Sequence, residues 1–230
     1  MIRRDVRSPG PARRRLVLEP LLAARKLLVK QVKEWAEILV GYEATNRYEV
    51  MDETGAVVAR VAEEGSGVVR WLGRQFLGRC RRATLHVLDL GGRELARIEK
   101  PFRFWFHEVE WFEQGRPAGR VVRRWRLFSD RFAVMAADGS ELVTIERGFL
   151  DHFRFRGTFR VTMGGLEVGR VTKEWRGLLS EWFTDADLFG IEFTAADLDP
   201  AVKQLLFAAT FLVDFTCFEN NQSRDGLFGN

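Results

Sequence analysis

Acids are densest between Glu181 and Asp199, where six of them occur with no Lys, Arg or His in between. Such a stretch would welcome a cation. Read as a calcium loop, Asp185, Asp187 and Gly190 fall at the first, third and sixth positions. Phe189 at the fifth position and Ala196 at the twelfth offer no side-chain ligand, and the bidentate Glu is missing. A strand-turn-strand with a solvated acidic face is the favoured reading, and Asp185 and Asp187 remain the metal candidates.

Two basic clusters stand opposite this segment in charge. Arg70, Arg74, Arg79, Arg81 and Arg82 have no acid among them. Arg116, Arg120, Arg123, Arg124, Arg126 and Arg131 are interrupted only by Asp130, and Trp125 lies inside the run. Guanidinium forks match phosphate oxygens, and Trp suits a membrane–water interface. Arg120, Arg123, Arg124, Trp125 and Arg126 are therefore candidates for contact with lipid headgroups. The same run also fits a strand that turns Arg to solvent and Trp to the core, and the residues alone do not separate the two.

Covalent chemistry finds little support. His86, His107 and His152 are scattered without metal-ligand spacing, and no Gly-x-Ser-x-Gly, P-loop or dinucleotide fingerprint occurs. An enzyme is not expected. Cys80 and Cys217 form no Cys-x-x-Cys pair, which points to a reducing compartment and no disulfide framework. The net charge of +4 is a property of the start of the chain: residues 1–26 carry +6 and the remainder −2. Nucleic acid is accordingly not an expected partner. Residues 1–26 read as a flexible basic tail able to touch anionic lipid, with a mitochondrial presequence as the alternative; Glu19 and Pro20 argue against a secretory signal.

The elements that must position these groups are strands. Tyr48 and Val50 alternate into a turn at Asp52–Gly55, and Val57, Ala59 and Val61 follow. The same unit recurs around Gly91, Gly115, Gly139 and Gly164, at intervals of 36, 24, 24 and 25 residues counted from Gly55. Alternation joined by Gly-containing turns is the signature of β-hairpins. A sixth hairpin is expected from Trp182 to Phe193 through Asp185-Ala186-Asp187. Six hairpins give about twelve strands, and closing them into a barrel removes exposed edges.

Residues 201–216 break the pattern. Asp199 and Pro200 form a helix start, and no charge follows Lys203 until Asp214. Leu205, Leu206, Phe207, Phe211, Leu212 and Val213 place apolar surface in every direction, so this helix must be buried in protein or lipid. Its uncharged run is short for a bilayer span and fits the core of a domain. Membrane insertion is the alternative. Between residues 20 and 40, Leu21, Ala24, Leu28, Val32, Trp35 and Leu39 fall at helical spacing. That allows an interfacial basic helix, an ordinary amphipathic helix, or a strand at Leu27–Val32 packing on the core.

Several segments together resemble one family. Leu28-Val-Lys-Gln31, Gly41-Tyr-Glu-Ala-Thr-Asn-Arg-Tyr-Glu-Val50 and Gly119-Arg-Val-Val-Arg-Arg-Trp125 are similar to stretches of the phospholipid scramblases. So are Gly169-Arg-Val-Thr-Lys-Glu-Trp-Arg-Gly177, Glu181-Trp-Phe-Thr-Asp-Ala-Asp-Leu-Phe-Gly-Ile-Glu-Phe193 and Phe211-Leu-Val-Asp-Phe-Thr-Cys-Phe-Glu219. The resemblance implies a tubby-like fold over residues 27–220: mainly β, a closed antiparallel barrel of about twelve strands around the apolar helix at about 200–216, with residues 221–230 as a tail. It also implies ATP-independent, bidirectional movement of phospholipid between leaflets, stimulated by calcium at the acidic segment. Where eukaryotic members tend to carry a cysteine cluster for palmitoylation, this chain has Phe102-Arg-Phe-Trp-Phe-His107. The expected partner is an anionic phospholipid or membrane surface, and the expected place is cytoplasmic, peripheral to the membrane. A soluble tubby-like binding or regulatory module that moves no lipid is the alternative.

Overall fold

A computed structural model describes residues 18–32, 44–65, 80–124, 130–147, 157–173 and 188–218. Twelve strands occur in it: β1 (Lys26–Val32), β2 (Ala44–Met51), β3 (Val57–Glu64), β4 (Ala83–Leu88), β5 (Glu94–Lys100) and β6 (Glu108–Glu113), then β7 (Arg116–Arg124), β8 (Arg131–Ala136), β9 (Glu141–Glu146), β10 (Thr158–Met163), β11 (Leu166–Lys173) and β12 (Leu188–Phe193). Each pairs antiparallel with its neighbours in sequence, and β12 pairs with β1 to close the barrel. Leu27 stands opposite Ile191 and Val29 opposite Phe189 across that seam. No unpaired strand edge remains around the ring, which is how a closed sheet avoids edge-to-edge association.

The period of two sets which side chains go inside. Along β5, Ala96, Ile98 and Lys100 are buried while Arg97 and Glu99 are partly exposed. Five tight turns join the hairpins β2–β3, β4–β5, β6–β7, β8–β9 and β10–β11. In the first, the Asp52 carboxylate accepts from the Thr54 and Ala56 amides at 2.8 and 3.1 Å, and Gly55 takes the positive φ the turn requires. These are the five hairpins with the plainest sequence signals.

The sixth differs. β12 is flanked by β11 and β1, so the two ends of the chain, and not a local hairpin, complete the sheet. The first half of the expected hairpin, including Asp185 and Asp187, lies outside the described residues. Gly190 explains the closeness of the seam, because a Cβ there would run into the Leu27 carbonyl oxygen.

Within the stretch 20–40 the described residues end at Val32, with Trp35 and Leu39 outside them, and two elements occur. Residues 18–23 are helical, and Lys26–Val32 is a strand with Leu27, Leu28 and Val29 buried. A continuous interfacial helix is thus excluded, because the closing β1–β12 ladder takes this segment. Leu18, Leu21 and Ala24 are buried as well, so the packed domain already includes residues expected in the tail.

The central helix (Pro200–Val213) runs inside the barrel. Asp199 caps it, accepting from the Ala201 amide at 2.7 Å, and Pro200 occupies the first turn. Every residue from Val202 to Val213 is buried, which requires cover on all sides. The cover comes from the whole ring, since all twelve strands contribute residues to one core with the helix. Phe211 packs edge-on against Tyr48, Phe189 and Phe207 at 5.4–5.5 Å between ring centres, and Trp111 meets Phe207 at 6.3 Å. Gly119 gives the helix room: a Cβ there would lie 2.8 Å from a Leu205 methyl. Beyond Val213 the chain continues as one wide turn of π-helix, Asp214–Phe218.

Candidate functional site

Antiparallel order gives the barrel two unlike ends. The tight turns and the start of the central helix share one end; the longer connections and the helix exit share the other. Lys203 fastens the first end, donating to the Leu22 carbonyl at 2.6 Å and lying over the Phe193 ring. The candidate residues are on β7 and near the second end.

Alternation along β7 sorts its arginines. Arg120 and Arg124 are exposed on the outer face, opposite Glu110 and Arg131 respectively on the neighbouring strands. Arg123 has the opposite phase. Its guanidinium donates to Asp130 at 2.6 Å, and Arg147 donates to the other oxygen of the same carboxylate, also at 2.6 Å. Burial would raise the Asp130 carboxyl, but the two guanidinium groups outweigh it and hold the group below the usual carboxylate range. Arg123 is therefore committed within the fold, whereas Arg120 and Arg124, like Arg116 at the start of the strand, are exposed. Trp125 and Arg126 lie outside the described residues.

Of the second basic cluster only Arg81 and Arg82 are described; Arg70, Arg74 and Arg79 lie outside the described residues. Arg81 is buried in an ion pair with Glu63 and lies over the Phe215 ring, while Arg82 beside it is exposed. Glu63 also accepts from Asn46 at 2.6 Å, and the buried Lys100 ammonium donates to the Arg81 carbonyl at 2.6 Å. With Lys173 bridging to Asp214 at 3.2 Å, paired charges surround the helix exit. Cys217 sits among them; burial pushes its thiol up to about 11, with the Asp130 charge adding to the rise and Arg123 and Arg147 opposing it.

Cys80 and Cys217 are both free. Among the described residues no group of three His, Cys, Asp or Glu could hold a metal ion, and Glu192 of the acidic segment pairs with Lys26 at 3.7 Å. Pro200–Cys217 is long and apolar enough to cross a membrane by composition, yet 78% of that stretch is buried inside the protein. Leu205, Leu206, Phe207, Phe211, Leu212 and Val213 all lie in the barrel core.

One feature of the helix-exit end was not assigned a role from sequence. The connection between β5 and β6 exposes Phe102, Phe104, Trp105 and Phe106. The available signal was three aromatic residues in succession after Pro101, a pattern that no alternating strand can bury on one face.

The Scramblase family profile matches residues 8–220. Human phospholipid scramblase 1 is 31% identical over 92% of this chain and 69% of its own length, and human phospholipid scramblase 2 is 31% identical over 89% and 71%. The Saccharomyces cerevisiae protein named altered inheritance rate of mitochondria protein 25 is 24% identical over 88% of this chain and 73% of its own. No solved structure matches the chain. A family match over the whole barrel and its helix, with relatives above 30% identity, leaves one conclusion: the chain belongs to the scramblase family.

Proposed function

We propose that the protein is a membrane-associated phospholipid scramblase. It binds phospholipid and lets it pass between leaflets in both directions, without ATP and without covalent chemistry. The observation that carries this reading is the family match across residues 8–220, with relatives named phospholipid scramblase.

The geometry adds a constraint on how such a protein works. The barrel interior is filled by the central helix and its aromatic contacts, so lipid is handled at the outer surface. Arg120 and Arg124 are exposed there, and guanidinium groups suit headgroup phosphates. Trp125 and Arg126 follow them in the sequence and remain headgroup candidates by residue type alone. Because the apolar helix is satisfied by the barrel, the protein works as a peripheral body on the cytoplasmic side and not as a single-span anchor.

The test is a liposome assay in which dithionite quenches outer-leaflet fluorescent lipid, run with and without calcium. Lipid in both leaflets should become accessible faster than in protein-free vesicles. Quenching that stops at the outer leaflet, as in empty vesicles, would overturn the proposal and leave a lipid-binding module.

A further inference from the structure

We propose that residues 101–107 form a wedge whose aromatic side chains enter the interfacial zone of an anionic phospholipid bilayer. The inference deepens the phospholipid reading and rests on it for the nature of the occupant.

Seven large hydrophobic residues are exposed among the described residues, and four of them fall between Phe102 and Phe106. The others, Leu90, Met163 and Leu166, are scattered at hairpin turns of the opposite end. Phe104, Trp105 and Phe106 are 64%, 74% and 68% exposed, so the loop does not fold back onto the barrel. A contiguous aromatic patch of this kind marks an interaction surface. Phe106 also holds a left-handed backbone with φ of 51°, which a Phe rarely adopts, and such strain persists where function requires it.

The loop is presented by rigid parts. Its Arg103 amide donates to the Cys80 carbonyl at 3.2 Å, and the Arg123 amide donates to the His107 carbonyl at 2.7 Å. Phe102 and Phe104 pack edge-to-face at 4.9 Å. His107, the next residue, is already buried.

The charge around the loop selects the partner. Arg82, two residues after Cys80, Arg103 within the loop and Arg124 beside Arg123 are all exposed. Glu108 at the base is bonded to Arg103 at 2.9 Å. Trp and Phe ringed by Arg are the side chains that settle at the headgroup level, with guanidinium on phosphate and rings at the acyl boundary. A basic rim around an apolar tip fits an anionic bilayer better than an ordinary protein surface.

The test uses the full chain and vesicles of phosphatidylcholine, either pure or with roughly one-third phosphatidylserine. The variant F104S/W105S/F106N, with Asn chosen because it tolerates the left-handed backbone, should keep the thermal midpoint of the parent. It should bind the anionic vesicles at least about tenfold more weakly, because three aromatic contacts are lost. The variant W105F should retain binding but lose the part of the tryptophan quenching that acyl-brominated lipid produces through Trp105. Unchanged vesicle affinity in the triple variant would overturn the wedge. A change in self-association with vesicle affinity unchanged would also overturn it, and would assign the patch to a second copy of the chain. If the parent binds through the loop yet moves no lipid, the wedge stands and the scrambling proposal falls.

Discussion

Replacing Asp130 by Asn keeps the shape of the side chain and removes the one carboxylate that Arg123 and Arg147 share. All three groups are largely withdrawn from water: the side chains of Asp130 and Arg147 are each 10% exposed and that of Arg123 is 24% exposed. Breaking a buried pair by removing one partner costs roughly 3–5 kcal/mol, because a charge is left without its counterion. The partial exposure of Arg123 puts D130N at the low end, about 3 kcal/mol. For a chain of this size each kcal/mol shifts the midpoint by roughly 2–4 °C, so thermal unfolding at neutral pH should fall by about 6–12 °C. The pH dependence has a definite sign. The folded-state pKa of Asp130 is depressed, so its contribution is present above the unfolded value near about 4 and disappears as pH falls through the folded value. Parent and D130N should therefore converge in acid. Removing the three charges together, as Asp130→Leu with Arg123→Met and Arg147→Met, should cost less than D130N alone. Circular dichroism melts across pH give the answer. A D130N loss below about 1 kcal/mol would refute the reasoning, since that is the range of a solvated surface pair.

Three further outcomes are expected. Gly119→Val should destabilise the fold by about 3 kcal/mol in urea, because the new side chain meets the Met135 carbonyl and Leu205 where no space remains. Cys217, with its thiol raised to about 11, should resist alkylation at mildly basic pH in the native protein and react readily once unfolded, as mass spectrometry of labelled peptides would show. D185A/D187A should barely alter calcium binding, because the sequence offers no ligand at the fifth and twelfth loop positions; calorimetry revealing a micromolar site lost in the double variant would contradict this.

Hairpins were the most legible part of the fold. Alternation, Gly and Asp spell out five of them locally, so their turns could be placed from sequence. The β1–β12 seam was not legible, because nothing near Leu27 states that its partner lies at Ile191, more than a hundred residues later in the chain. The spacing over residues 20–40 left helix and strand open, and pairing at that seam takes the strand reading for Leu27–Val32. The central helix was readable because apolar residues on every side exclude a surface position. Arg123 shows the limit for sites: its type suited phosphate, and only its phase on β7 and its contact with Asp130 reveal that it is committed inside the protein. The aromatic loop was visible as letters but not as a surface, since exposure depends on what the barrel leaves uncovered.

The central claim is that the apolar helix remains the core of the barrel even on a membrane. Moving it into lipid would satisfy the helix but strip cover from Trp111, Val121, Phe132 and Phe189, at about 1.5–3 kcal/mol for each large side chain exposed. Peptide-resolved hydrogen exchange, compared in buffer and on anionic vesicles, tests this most directly. The account predicts that Leu205–Val213 and the facing strands β6, β7 and β8 keep the same strong protection in both states. Loss of protection in those strands on vesicle binding, with the helix still protected, would contradict it and show that the helix had left the barrel for the bilayer.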